Sequence, residues 1–145
     1  MRKILFKAKR KDNGEWAEGY YCKWKQIRRT ICVAEEKIVD CIIVWMSDGS
    51  MLRHEIDLDT LCQYTGFTDK NGEKIWENDI VRDKTGDIFR IYWSEQLLNY
   101  SAKCVKSTFS VFINQKWDLG TLLKSQIDVE VCGNIFDNPD LLEVE

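Results

Sequence analysis

Apolar and polar residues alternate with a period of two along much of this chain, and short glycine-bearing turns punctuate the alternation. That pattern predicts half-buried β-strands joined by hairpins. Asn13-Gly14 lies between strand-like residues 4–9 and 15–24, and predicts a two-residue type I′ hairpin. Residues 37–47 and 50–56 flank Asp48-Gly49 in a second hairpin, which places Leu52, His54 and Ile56 on one face of its outgoing strand. Residues 57–62 carry one short helical turn.

Further along, residues 79–82 predict a strand, 83–86 a turn, and 87–93 a strand with Phe89, Ile91 and Trp93 on one side. Strands at 99–106 and 108–114 follow, the second with Phe109, Val111 and Ile113 alternating against Ser110 and Asn114. Residues 116–126 read as a loop carrying a helical turn through Leu119, Leu122 and Leu123. A last strand at 127–131 alternates branched apolar and acidic residues. Asn138 is placed to cap a closing turn at 139–142, with Pro139 at its first position.

The predicted fold is therefore mostly β, at most a β-rich α+β, built of antiparallel strands and hairpins. The strands of the C-terminal half form a meander expected to close into a small Src-homology-3-like or similar partly open barrel, because closure removes exposed edges. The boundary falls between an N-terminal β-hairpin region, residues 1–62, and a barrel region, residues 63–145, packed as one unit or as two small subdomains.

Composition supports a globular chain: 44% hydrophobic and 31% charged residues in 145. The longest apolar run, residues 41–46, suits a buried strand and is far short of a bilayer span of about 20 residues. The N-terminus returns to Lys7 after three apolar residues, too few for a secretory signal, so the expected location is cytoplasmic. Six widely spaced cysteines and one histidine lack the paired spacing of a structural zinc site, so free buried thiols are expected and no metal or cofactor is assigned.

Charge is unevenly distributed. Residues 1–29 contain Arg2, Lys3, Lys7, Lys9, Arg10, Lys11, Lys23, Lys25, Arg28 and Arg29 against Asp12, Glu15 and Glu18, for +7 within a total of −3. Interleaved Phe6, Trp16, Tyr20, Tyr21 and Trp24 make this group a candidate nucleic-acid surface, since cations neutralise phosphates while aromatics stack on bases. The competing assignment is a solvated or intersubunit face paired with the acidic remainder.

Catalytic candidates are few. His54 shares a strand face with Leu52 and Ile56 and reads as a half-buried, hydrogen-bonded side chain. Glu55-Asp57-Asp59 and Glu77-Asp79 are weak candidates for acid/base work. Asp69-Lys70-Asn71-Gly72 fails as a calcium loop because its glycine comes at the fourth position rather than the sixth. No catalytic residue is assigned, and the chain is expected not to be an enzyme.

Two stretches are distinctive: Gln63-Tyr64-Thr65-Gly66-Phe67-Thr68-Asp69-Lys70-Asn71-Gly72-Glu73-Lys74-Ile75-Trp76-Glu77-Asn78-Asp79-Ile80-Val81, and Gly133-Asn134-Ile135-Phe136-Asp137-Asn138-Pro139-Asp140-Leu141-Leu142. With the opening residues 2–16 and Gly19-Tyr20, they resemble the YopX family of phage and prophage proteins. The chain departs from that pattern at Asn78, where glycine is usual, at Trp76, where tyrosine or phenylalanine is usual, and at Cys62, where glycine is common. Asn tolerates positive φ, which preserves the turn.

The resemblance implies a phage-derived protein in a bacterial cytoplasm, able to form oligomers, with no catalytic residue or cofactor to carry over. Tyr64, Thr65, Gly66, Asp69, Asn71, Gly72, Asp79, Gly133, Asn134 and Pro139 are its motif positions, and turn chemistry gives them structural roles. The expected function is a non-enzymatic protein-interaction or self-assembling module that binds itself or a phage or host protein, with nucleic-acid binding as the alternative and no membrane contact.

Overall fold

A computed structural model describes residues 1–125 and 128–143. The chain divides into two units, Met1–Gln63 and Tyr64–Glu145. Both are mostly β.

In the first unit, β1 (Phe6–Lys9), β2 (Trp16–Arg29), β3 (Ala34–Trp45) and β4 (Met51–Glu55) form an antiparallel meander in the spatial order β4-β3-β2-β1. The first two residues of β5 (Cys62–Thr68) add to the outer side of β1, with Gln63 opposite Phe6 and Cys62 opposite Lys7. Ala8, Ala17, Ile42 and Ile56 form the core, with Phe6, Tyr21, Val44 and Leu61 packed around them. A 3-10 turn at Leu58–Thr60 is capped by Asp57, whose Oδ1 accepts the Asp59 N–H at 3.1 Å.

The Asn13-Gly14 hairpin is wider than the two-residue loop predicted. Arg10 and Glu15 close it, and only Gly14 has positive φ, at 71°. A type I′ turn needs positive φ at both central residues, a conformation Asn13 does not take.

In the second unit, the rest of β5 pairs with β6 (Lys74–Trp76). A separate five-stranded antiparallel sheet follows the order β10-β9-β8-β7-β11. Its strands are β7 (Asp79–Arg82), β8 (Ile88–Ser94), β9 (Asn99–Lys106), β10 (Lys116–Asp118) and β11 (Glu130–Asn134). Phe89 and Ile91 of β8 are buried on one face, as their alternation requires. They join Tyr100, Ala102, Cys104, Val81 and Val129 in a core covered by Leu119 and Leu122 of α1 (Leu119–Ser125).

That cover bears on the expected barrel. The sheet does not close: β10 and β11 are its two edges. Its apolar face is buried by the two leucines of α1 instead of by the sheet curling onto itself.

Three local predictions are also corrected. Residues 108–114 are not a strand. They form a loop with a 3-10 turn at Ser110–Phe112, leaving Phe109, Val111 and Phe112 exposed, while Lys116–Asp118 takes the edge of β9. Residues 116–125 thus contain β10 as well as α1, not merely a loop with a turn, and Gln126 lies outside the described residues. Of the strand predicted at 127–131, Ile127 lies outside the described residues. β11 begins at Glu130 and continues to Asn134 through a register shift between Val131 and Gly133.

Candidate functional site

Asp69 organises the longer of the two distinctive stretches. Its Oδ1 accepts the N–H groups of Asn71 (2.8 Å) and Glu73 (2.9 Å), while Gly72 closes the turn with φ of 79°. Its Oδ2 accepts the N–H of Val131 at 2.9 Å, and Lys70 N–H donates to Val129 O at 3.0 Å. Both links tie this hairpin to the chain around β11. Thr65 is buried, donates from Oγ1 to Ile75 O at 2.7 Å and accepts the Phe67 N–H. Gly66 has φ of 88° where the β5–β6 register shifts, and Tyr64 packs on Trp76 with ring centroids 5.5 Å apart. Asp79 is buried and accepts the Trp76 N–H on Oδ2 at 2.8 Å.

The second stretch is another network of side chain to backbone bonds. Asn134 Oδ1 accepts from Phe136 N–H and Asp137 N–H, both at 3.0 Å. Asn138 makes no side-chain cap for the 3-10 turn at Pro139–Leu142. Asn138 does stand at the predicted N-cap position, with Pro139 opening the turn, but its Oδ1 accepts the Asn134 N–H at 3.3 Å instead of capping. Asn138 lies so close over Gly133 that a Cβ there would overlap its side chain.

The basic residues are spread along β1 and β2 and largely engaged. Lys7 and Lys9 hold their ammonium groups over the Trp16 ring, 4.7 and 5.5 Å from its centroid. Arg10 grips Asp12 with Nε and Nη2, which raises the guanidinium pKa and lowers that of the carboxyl. Lys11 meets Glu55 at 3.4 Å, Lys23 meets Asp40 at 3.9 Å, and Lys25 meets Glu36 at 2.7 Å. Arg28 lies opposite Glu35 and Arg29 opposite Ala34, both exposed. Arg2 and Lys3 are exposed near the N-terminus. Of the interleaved aromatics, Phe6 and Tyr21 pack on the core, Tyr21 donating to Asp40 Oδ1 at 2.6 Å. Arg53 sits 4.4 Å over the Trp24 ring, so Trp16 and Trp24 each already face a cation of their own chain.

The first unit also carries an exposed apolar group that pattern reading missed. β1 pairs with β2 only as far as Gly19, and β4 pairs with β3 only from Cys41 onward. Beyond these limits no third strand among the described residues pairs with the β2–β3 ribbon. There Ile27 is 52% and Ile38 68% exposed, and Ile31 and Val33 protrude at its tip. The available signal was length: ten consecutive β2–β3 pairs extend past shorter neighbours. His54 of β4 is half-buried. Among the described residues, no group of three or more His, Cys, Asp or Glu is placed to hold a metal ion, and no helix is long and apolar enough to cross a membrane.

A model of the YopX protein family matches residues 5–143, nearly the whole chain. The chain belongs to the YopX family. Among solved structures it is similar to the crystal structure of protein EF1440 from Enterococcus faecalis, with a TM-score of 0.52 and 19% identity over 99% of this chain and 100% of that one. At that identity the likeness speaks to fold alone. Comparison with curated proteins finds no match. In this YopX-family chain the departure at Asn78 leaves the turn intact: Asn78 takes φ of 68°, the left-handed conformation that glycine adopts freely. Trp76 fills an aromatic role against Tyr64, and Cys62 is buried with its thiol on Thr60 O at 3.3 Å.

Proposed function

We propose that this YopX-family chain is a non-enzymatic protein-interaction or self-assembling module, and that the outer half of the β2–β3 ribbon is its contact surface. The observation that carries this reading is the exposure of Ile27 and Ile38 on a ribbon that no third strand supports. A two-stranded ribbon alone in water is marginally stable, and large branched apolar side chains favour a partner that removes them from water. Lys25, Arg28 and Arg29 on β2 beside Glu35 and Glu36 on β3 give that surface both signs of charge, which suits a symmetric contact with a second copy. A phage or prophage origin and action in a bacterial cytoplasm belong to the same reading, supported by the family resemblance.

Sedimentation velocity and light scattering at micromolar concentration test it. The wild type should form a defined oligomer, and Ile27→Asn with Ile38→Asn should shift it toward monomer without loss of folding. A strict monomer at all concentrations removes self-assembly.

Nucleic-acid binding is favoured by one feature: Arg28 and Arg29 are exposed at the end of the same ribbon. Electrophoretic titration with single- and double-stranded DNA and RNA at two salt concentrations separates the readings. Retardation at low salt that fades at high salt supports this alternative.

A further inference from the structure

A cleft in the second unit is lined by Asp83, Asp87, Phe89, Phe112, Trp117 and Leu122. Its carboxylates are unusual when set beside the Asp69 turn. The loop from Asp83 to Asp87 repeats the loop from Asp69 to Glu73. In each, the first Asp N–H donates to the carbonyl four residues on, a glycine N–H returns to the Asp carbonyl, and the Asp Oδ1 accepts two backbone N–H groups. In the Asp69 turn the second oxygen is taken by Val131 N–H. In the Asp83 turn, among the described residues, the second oxygen has no donor.

Asp87 is freer still. Its side chain makes a single long contact, Oδ1 with the Thr108 N–H at 3.4 Å. Asp83 is nonetheless only 5% and Asp87 8% exposed, and no lysine or arginine among the described residues pairs with either. Both carboxylates line the cleft with an oxygen that no donor among the described residues occupies, so a cation entering from solvent would find those acceptors open. The walls specify more. Trp117 stands edge-on to Phe89 with centroids 5.6 Å apart and lies 6.5 Å from Phe112, which is itself 42% exposed at the mouth. The cavity, about 220 Å³, is smaller than the roughly 300–1,000 Å³ of clefts that hold drug-sized ligands. It suits one side chain.

We propose that this cleft binds a guanidinium group, the head of an arginine side chain, between Asp87 and Asp83 and against the faces of Trp117 and Phe112. A guanidinium is planar, stacks on aromatic rings, stays charged at any ordinary pH and offers several donors to carboxylate oxygens. The site lies wholly within the second unit and is independent of the ribbon reading.

The test is a titration of the full chain, followed by the Trp117 indole N–H resonance. The probes are N-acetyl-arginine amide, its uncharged isostere N-acetyl-citrulline amide, N-acetyl-lysine amide and magnesium chloride. The arginine amide should give a saturable shift, citrulline none, and lysine a weaker one. Asp87→Asn should weaken arginine binding about tenfold or more while the rest of the amide spectrum stays in place, because this side chain makes only one long bond, to the Thr108 N–H outside the turn. Free L-arginine and an acetyl-Gly-Arg-Gly-amide peptide then separate the sources: stronger binding of the peptide marks an arginine carried on a protein, and stronger binding of the free amino acid marks a small guanidino compound. No saturable shift with arginine, an equal shift with citrulline, a response to magnesium alone, or unchanged affinity in Asp87→Asn would each overturn the proposal.

Discussion

The carboxylate of Asp69 accepts the backbone N–H of Val131 at 2.9 Å, across sixty-two residues of sequence, while its other oxygen holds its own turn closed. One buried side chain therefore sets a local bend and also anchors the chain entering β11. This explains the motif without a ligand. Three backbone N–H groups converge on a single carboxylate, and each would lose its partner if it were removed.

Asp69→Ala should therefore destabilise the protein by about 3 kcal/mol or more, because it strands three N–H donors on a charged acceptor's site. Asp69→Asn retains one amide oxygen and should cost less. Urea denaturation of both variants measures the difference, and a loss under about 1 kcal/mol for Asp69→Ala would show that the turn does not depend on this side chain.

Gly133 and Asn138 should behave as a coupled pair. A Cβ at 133 overlaps the Asn138 side chain, so Gly133→Ala should cost about 1–3 kcal/mol by overpacking. Truncating Asn138 to Ala in the same chain makes room, and the double variant should lose less than the two single losses combined. Gly19 gives the contrasting case: a Cβ there meets the backbone carbonyl of Ile43, which no side-chain substitution relieves. Strict additivity at 133 and 138 would contradict the packing described.

Glu77 gives a pH dependence with a definite sign. Burial raises its pKa above the ordinary 4.5. The folded state thus holds the proton more tightly than the unfolded state, so this group favours folding below the unfolded pKa and loses that contribution as pH rises through the folded one. Glu77→Gln should be more stable than wild type near neutral pH, with the gap closing as pH falls toward about 4. Paired melting curves at several pH values test this, and a gap that widens on acidification would reverse the assignment.

The six thiols should divide by accessibility. Cys32 is exposed, whereas Cys41, Cys62 and Cys104 are buried. Burial also pushes the Cys41 and Cys104 thiols up, with Cys22 adding at Cys41 and Asp87 adding at Cys104, so little thiolate is present at neutral pH. Iodoacetamide followed by mass spectrometry should find Cys32 modified first and Cys41, Cys62 and Cys104 modified only after denaturation. Rapid native labelling of Cys104 would place it outside the core.

The turns were legible wherever their partners lie within a few residues. Asp69, Asp83 and Asn134 bond backbone groups two to four positions on, and such chemistry is written in residue order. Residues 108–114 show where reading fails. Phe109, Val111 and Ile113 alternate as well as any strand here, yet Lys116–Asp118 pairs with β9 and leaves them in a loop. The ribbon fails in the same way, since Ile27 and Ile38 keep the period of buried neighbours but lack a third strand to cover them. The cleft at Asp83 and Asp87 needed Trp117 and Phe112, which arrive from elsewhere in the chain.

By itself, the order of residues determined the β class, most of the hairpins and the Asx turns, because period-two burial and local hydrogen bonding act over short separations. Only the tertiary structure decided which strands have neighbours, that α1 rather than closure covers the sheet, and which carboxylate oxygens remain without a donor. Those outcomes depend on groups far apart in sequence competing for the same edge, face or proton, and alternation along one strand carries no record of that competition.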